Sequence, residues 1–478
     1  MSKNYQSPLS SRYASSEMNF LFSDQNKHRT WRKLWLTLAQ AQKDLGLAIS
    51  QKQIDELKMH IDDIDFEQAK KHESVLHHDV MAHIYTYAEK CPTAKSIIHL
   101  GATSCLITDN ADVIIMRDAL FLIQKMLITL IQNLALLAKK YKDLPCLSYT
   151  HFQAAQPCTV GKRISLWLQD FFIDAQEMEH CLENLRLLGI KGATGTQASF
   201  LKLFDGNHEK VKMLEEMICQ GLHFKSPFPV SGQTYSRKQD VKILNVLSAI
   251  ATSAHKISTD LRLLAHLKEI EEPFSEKQIG SSAMPYKRNP MQNERICALA
   301  RFVISLSANP SYTAATQWFE RSLDDSANRR LCLPEAFLTT DSILQLLIRI
   351  SKDLNVYPKV IEKNLEKEIP FLATEHFLMA SVKKGSDRQA IHESIRKHSM
   401  ASSKRIKEEG LDNDLLSRIS QDPTIPLSEK EIKELLKNSN FIGRSPEQVT
   451  EFLDDEINPF LEKHQDCNIE NELQPQHS

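Results

Sequence analysis

The chain has almost no charge of one sign in excess. Its 59 Lys and Arg stand against 61 Asp and Glu, a formal −2 with histidine neutral. Surfaces that grip nucleic acid are built from a basic surplus, so no nucleic-acid partner is expected, although a local anion site is compatible with this balance. The first residues, MSKNYQSPLSSRYASSEM, lack the apolar centre of a secretory leader. Long hydrophobic runs are scarce as well. The most apolar stretch, MLITLIQNLALLA at 126–138, falls short of a bilayer span and reads as the buried face of a helix, so no membrane partner is expected. The nine cysteines include no CxxC pair, and some, such as Cys158 and Cys297, sit among apolar neighbours. They read as reduced, mostly structural thiols of an intracellular protein, with the cytoplasm as the expected compartment. There is no fixed repeat period and no low-complexity core.

What is present is ordinary for a globular chain: 42% hydrophobic and 25% charged residues. Helical spacing of apolar residues dominates. It predicts helices over 29–46, after 49, and over 72–91. The stretch HLGATSCLITDN at 99–110 reads as an irregular loop, with Thr108 or Asp109 capping the helix beyond it. Long amphipathic helices are expected over 111–142, 160–188 and 239–267, with others at 291–306 and 333–351. Their length and their Leu, Ile and Ala content favour an all-α protein with a central long-helix bundle over a repeated strand–helix sheet. The expected division is an N-terminal helical domain at 1–108, a central bundle that also mediates oligomerisation at 109–356, and a smaller helical domain at 357–478. The polar end, EKHQDCNIENELQPQHS, is expected to fray.

Polar loops punctuate the bundle. The longest contains GSSAMPYKRNP at 280–290. Gly280 and Ser281 would expose successive backbone N–H groups to an oxyanion, Lys287 and Arg288 add positive charge, and Pro285 and Pro290 restrict the loop. By composition alone, the serines are equally well caps or turn residues, and Lys287–Arg288 a solvated pair. Other loops contribute Thr150 and His151 in YTHFQ, Thr103 and Ser104 in GATS, His78 and Asp79 in HHD, and Gln233 in SGQTYSRK. The stretch FERSLDDSANRR adds Arg321, Ser326, Arg329 and Arg330. Such a set suits a ligand with several carboxylates or a phosphate, since cations bind the anions and His and Ser exchange protons. Taken singly, each has a plainer reading. Arg329–Arg330 reads as a surface pair, and Asp79 and His83 are spaced to pair along a helix. The histidines at 77, 78 and 83 match no metal motif, and GATGT at 192–196 is neither a dinucleotide fingerprint nor a P-loop. No metal and no organic cofactor is expected.

Taken together, these stretches carry a specific resemblance. SSRYAS, HHD, GATS, THFQ, GTQASF, SGQTYSRK, GSSAMPYKRNP and QWFERSLDDSANRR follow one another along nearly the whole chain. They resemble the adenylosuccinate lyase family of the fumarase/aspartase superfamily. One small departure is visible: the family's THFQ often continues Pro-Ala-Gln, where this chain has Ala154-Ala155-Gln156. The change removes no proposed proton-transfer group.

The resemblance implies an all-α, three-domain fold, a homotetramer, and active sites shared by three subunits. It implies a carbon–nitrogen lyase that releases fumarate by β-elimination from two succinylated purine nucleotides. These are adenylosuccinate, which gives AMP, and the succinylaminoimidazole carboxamide ribotide, which gives the free carboxamide. It further implies Ser281 as general base, with Ser282 as a neighbouring alternative, and His151 as general acid. Lys287 would stabilise the alkoxide and the developing carboxylate charge, and His78 would bind or orient. Substrate contacts fall on Arg12, Tyr13, Asp79, Thr103, Ser104, Thr150, Gln233, Asn289, Arg295, Arg321, Ser326 and Arg330. Argininosuccinate lyase shares the bundle, but Arg12-Tyr13 and the SANRR segment favour a substrate with a nucleotide phosphate. A silent helical scaffold would have no use for His78, His151, Ser281 and Lys287.

Overall fold

The computed structural model describes residues 4–275, 283–438 and 441–467. Five helices make the central bundle: Ser104–Lys140, Val160–Glu183, Lys238–His266, Met291–Leu306 and Asp325–Lys352. The first and last of these are long and apolar enough to cross a membrane by length and composition. Their most apolar windows are 61% and 83% buried inside the protein, so packing against other helices accounts for that apolarity. The bundle core runs through Leu120, Leu127, Leu168, Leu247, Ile343 and Leu347, all at most 1% exposed.

Two bundle helices start earlier than their apolar pattern predicts. One begins at Ser104, with Thr103 in the N-cap position, so Thr108 and Asp109 lie inside the helix and do not cap it. The other begins at Asp325, two and a half turns before Pro334. Proline normally sits in a first turn. Here the preceding turns are held by buried ion pairs of Asp325 and Arg329. The expected helix over 72–91 is two helices, Phe66–Leu76 and Asp79–Lys90. His77 takes a left-handed conformation at φ 51°, and His78 restarts the helix by accepting the Met81 N–H on its side chain. The helix Asp24–Asp44 ends just before Gly46, as its pattern implies, and Ser50 caps Gln51–Met59 in a capping box with Gln53.

Among the described residues the all-α expectation carries two local exceptions, the smaller being the antiparallel pairing of Ile270–Glu271 with Asn355–Val356. Pro145–Thr150 and Gln153–Thr159 form an antiparallel hairpin with a register shift between Cys146 and Ser148. Leu147 on this hairpin packs with Leu365 and Ile369. The C-terminal part has its own small core, built on Phe377, Ile391, Ile395, Leu415 and Ile419. The chain then returns to the bundle. Val449, Leu453, Ile457 and Phe460 join the main core, where the Phe460 ring meets Phe172 edge-on at 5.3 Å. Burying such side chains contributes roughly 1.5–3 kcal/mol each. The expected fraying therefore does not begin at 462, since Lys463 and His464 both pair with Glu179. We propose the three-part division with its first boundary at the start of the Ser104 helix, and with 445–467 counted with the bundle.

Candidate active site

A cleft of about 1100 Å³ lies where four N-terminal ends converge: the helices beginning at Asp24, Asp79, Ser104 and Asp325. His78, Asp79, Thr103 and Ser104 line one side, and Gln233, Arg321, Ser326 and Arg330 line the other. Converging N-termini present unpaired N–H groups and a positive partial charge, which favours anionic ligands.

His78 is oriented from both ring nitrogens. Its Nδ1 accepts the Met81 N–H at 3.3 Å, which leaves the neutral ring protonated on Nε2, 3.3 Å from Ser104 Oγ. The Thr103 hydroxyl is buried without a protein partner, although it sits at an N-cap and lines the cleft. A buried hydroxyl left unpaired is costly, so a ligand that hydrogen-bonds it gains affinity. Gln233 is held by a bond from its amide to the Ala193 carbonyl at 3.2 Å and by its backbone N–H to Glu320 at 2.9 Å. That placement depends on Gly195. It stands at φ 82°, and a Cβ there would overlap the Ser231 carbonyl oxygen two residues from Gln233. Gly195→Ala is expected to destabilise the protein by roughly 1–3 kcal/mol and to raise KM by displacing Gln233, read by urea denaturation and by initial rates.

Below the cleft lies an ion network that is buried except at Asp112, whose side chain is 34% exposed and reaches the cleft lining. Arg237 bridges Asp109 at 3.0 Å and Asp325 at 2.7 Å. Arg329 bridges Asp240 at 2.8 Å and Asp112 at 3.0 Å and donates to Tyr235 Oη at 2.6 Å. Tyr235 in turn donates to Asp240 at 2.6 Å. Burial alone would lower the pKa of Arg237, but Asp109 overrides it and keeps the guanidinium protonated. Asp240 does the same for Arg329. Burial pushes Asp112 and Tyr235 up. The network ties the Ser104, Lys238 and Asp325 helices together beneath the ligand space, and so sets the positions of the residues above it.

One wall is suited to a phosphate. Ser326 and Arg330 stand four apart on the first turns of Asp325–Lys352, on one helix face, and Arg321 precedes them. Arg330 is exposed and meets Asp79 at 3.3 Å, while Arg321 meets Asp325 at 2.8 Å. The exposed Arg330–Asp79 pair is weak enough for an incoming dianion to displace. Arg329 and Arg330 therefore do not form the surface pair that their adjacency implies: one is buried in the network and the other faces the cleft. Nor does His83 pair along its helix with Asp79. It is buried and stacked on His28 at 3.7 Å, and burial lowers the pKa of both rings, to about 3 and about 4.

Among the described residues, the remaining sequence-selected ones lie outside the cleft lining of this chain. Thr150 and His151 occupy the hairpin tip, where His151 and Phe152 form a two-residue turn with φ of 52° and 57°. Lys287 is exposed, and Asn289 precedes the helix Met291–Leu306, which carries Arg295. The Arg295 guanidinium sits 5.5 Å over the Tyr13 ring, which groups Arg295 with Arg12 and Tyr13. That N-terminal turn is fastened by Ser15, whose N–H and hydroxyl donate to Asp341 at 2.7 and 2.9 Å. Ser281, the expected base, lies outside the described residues, as do Gly280 and Ser282.

Sequence reasoning missed the network residues Asp109, Asp112, Tyr235, Arg237, Asp240 and Asp325. A signal existed: Asp109 and Asp112 interrupt an otherwise apolar helical run, and charges at such positions are paired when buried. The family description "Lyase" matches residues 15–305, and "Adenylosuccinate lyase C-terminus" matches residues 370–452. The adenylosuccinate lyase of Saccharomyces cerevisiae is 51% identical, covering 97% of this chain and 96% of that one. That of Schistosoma mansoni is 47% identical with 97% coverage of both, and that of Pyrococcus abyssi 31% identical over 92% of this chain and 96% of its own. Among solved structures, the 3-carboxy-cis,cis-muconate lactonizing enzyme of Pseudomonas putida superposes with a TM-score of 0.82 at 23% identity, covering 94% of this chain and 99% of that one. At that identity the likeness establishes the fold alone. With relatives this similar along nearly its whole length, the chain belongs to the adenylosuccinate lyase family.

Proposed function

We propose that this carbon–nitrogen lyase eliminates fumarate from adenylosuccinate, giving AMP, and from succinylaminoimidazole carboxamide ribotide, giving aminoimidazole carboxamide ribotide. The observation that carries this reading is the cleft itself. A cationic, hydroxyl-bearing wall of Arg321, Ser326 and Arg330 stands with an oriented imidazole, His78, and the unpartnered Thr103 hydroxyl. The wall suits the 5′-phosphate, and the polar groups suit the succinyl carboxylates and base. Ser281 removes the proton from the succinyl carbon next to the C–N bond, the electron pair forms the fumarate double bond, and the bond to nitrogen breaks. His151 protonates the departing nitrogen from the opposite face. Lys287 stabilises charge on the alkoxide and on the carboxylate of the carbanion.

The hairpin tip with His151, the stretch with Lys287 and Asn289, and the group of Arg12, Tyr13 and Arg295 lie apart from the cleft lining of the same chain. We therefore propose a homotetramer in which three subunits complete each site, in the cytoplasm. The test is to mix the purified protein with each succinylated nucleotide and follow fumarate. Release from both is expected, and release from neither removes the reading. Ser281→Ala is expected to be slower than Ser282→Ala by on the order of 10²-fold or more, the scale of a lost proton-transfer group. The reverse order in single-turnover rates would move the base to Ser282.

A further inference from the structure

The hairpin that presents His151 carries two thiols near its other end, and the elimination uses neither. Cys146 and Cys158 are directly opposed in the antiparallel register, with their Sγ atoms 3.7 Å apart. Opposed residues in such a ladder have Cα atoms ~4.5–5.5 Å apart. A disulfide spans ~4.4–6.8 Å between Cα atoms, so joining this pair requires side-chain rotation and a small shift of the strands rather than refolding. The cysteines whose side chains are described are free thiols, and all of them but Cys158 are buried. Of the hairpin pair, a reagent therefore meets Cys158 first.

Cys158 is also the more readily ionised thiol of the two. Its pKa is lowered, first by the hydrogen bond with Cys146 and also by Ser148, Arg163 and Lys162, against the opposing effect of burial. The same bond, together with burial, raises Cys146. Cys158 directly precedes Thr159, whose hydroxyl caps Val160–Glu183 by accepting from the Lys162 N–H at 3.1 Å. A helix N-terminus with two cations in its first turn favours thiolate.

We propose that Cys146 and Cys158 form a reversible modification site, which low-molecular-weight disulfides oxidise to an intrachain cystine that slows the elimination by displacing the hairpin tip. The second half rests on the role proposed for His151. In the first step the Cys158 thiolate attacks one sulfur of the reagent RSSR, forms Cys158–S–SR and expels RS⁻, which takes up a solvent proton. Cys146 then attacks Cys158 Sγ, and its proton leaves with the second RS⁻. Two protein thiols and RSSR become one cystine and two RSH, with both electrons passing to the reagent. The change reaches the tip through three ladder pairs, Ser148↔Ala155, Tyr149↔Ala154 and Thr150↔Gln153. The far side is fixed where the hairpin joins the bundle, because the Val160 N–H donates to the Leu144 carbonyl at 2.9 Å and the Gly161 N–H to the Tyr141 carbonyl at 2.8 Å. Drawing the sulfurs from 3.7 Å to roughly 2 Å therefore shifts the free end.

The experiment treats the full-length reduced protein with glutathione disulfide, blocks residual thiols with N-ethylmaleimide, and maps linkages by mass spectrometry without reduction. Fumarate release and the rate of His151 modification by diethyl pyrocarbonate are followed in parallel. A Cys146–Cys158 peptide is expected, with a fall in turnover of on the order of tenfold that dithiothreitol reverses, well inside the ~10²-fold that a misplacement of about 1 Å can cause. Cys158→Ser and Cys146→Ala are each expected to keep their starting turnover and to be indifferent to the reagent. Absence of the linkage overturns the proposal, as does linkage with unchanged turnover, or an equal loss in Cys158→Ser. If the reduced protein releases no fumarate, the elimination reading fails by itself. The dithiol is then decided by the linkage and by whether it alters the His151 modification rate.

Discussion

His151→Ala is expected to lower turnover at saturating substrate by on the order of 10²–10⁴-fold, the usual contribution of a positioned acid. The side chain is exposed at the hairpin tip, so its removal opens no cavity. The backbone there is left-handed, at φ 52°. Histidine, asparagine and aspartate tolerate that region better than most side chains, so His151→Asn serves as a second variant with less backbone strain. Both variants are expected to keep the wild-type melting profile and assembly state and to lose the leaving-group proton. A folded His151→Ala protein with ordinary turnover in a fumarate assay would remove the residue from the mechanism.

Arg329→Met is expected to cost about 3–5 kcal/mol of stability, because it removes one partner of a buried pair and leaves the carboxylates behind. Arg329 reaches Asp240, Asp112 and Tyr235 at once. The pH sign follows from Asp112, which burial already raises while Arg329 lowers it. Without the guanidinium its folded pKa climbs further above the unfolded value. The resulting penalty is absent below the unfolded pKa and grows as pH rises toward the folded one. Urea midpoints should therefore show a larger deficit at pH 8 than at pH 5. Arg330→Ala is the contrast. Its side chain is exposed, so stability should hold to within about 0.5 kcal/mol while KM rises through loss of the proposed phosphate contact. A stable Arg329→Met variant would mean that the network does not brace the cleft.

The two arginines show how much a sequence can tell. The helix Met291–Leu306 was legible to the residue, since its amphipathic pattern follows directly on Pro290. The true start at Ser104 was not, because Thr108 and Asp109 are ordinary capping residues and only the distant Arg237 makes Asp109 a helical, buried counter-ion. The hairpin was hidden for a related reason. PCLSYT and QAAQPCT have little alternation, and their pairing is set by a tight turn and by packing on Leu365 and Ile369. For the candidate site, the motif residues were visible through family likeness. Their grouping was not, since His78, Gln233 and Arg330 lie far apart in the chain and meet only through helix packing.

The late return of the chain has a consequence for biosynthesis. The helix Val160–Glu183 is made early, yet Phe172 on it awaits Phe460 and its neighbours, nearly three hundred positions later. Until translation reaches that point, a greasy groove on the nascent bundle stays uncovered and vulnerable to chaperone capture or clumping. A ribosome that stalls after position 440 would release a polypeptide with most of the cleft encoded and this last seam of its interior unsealed.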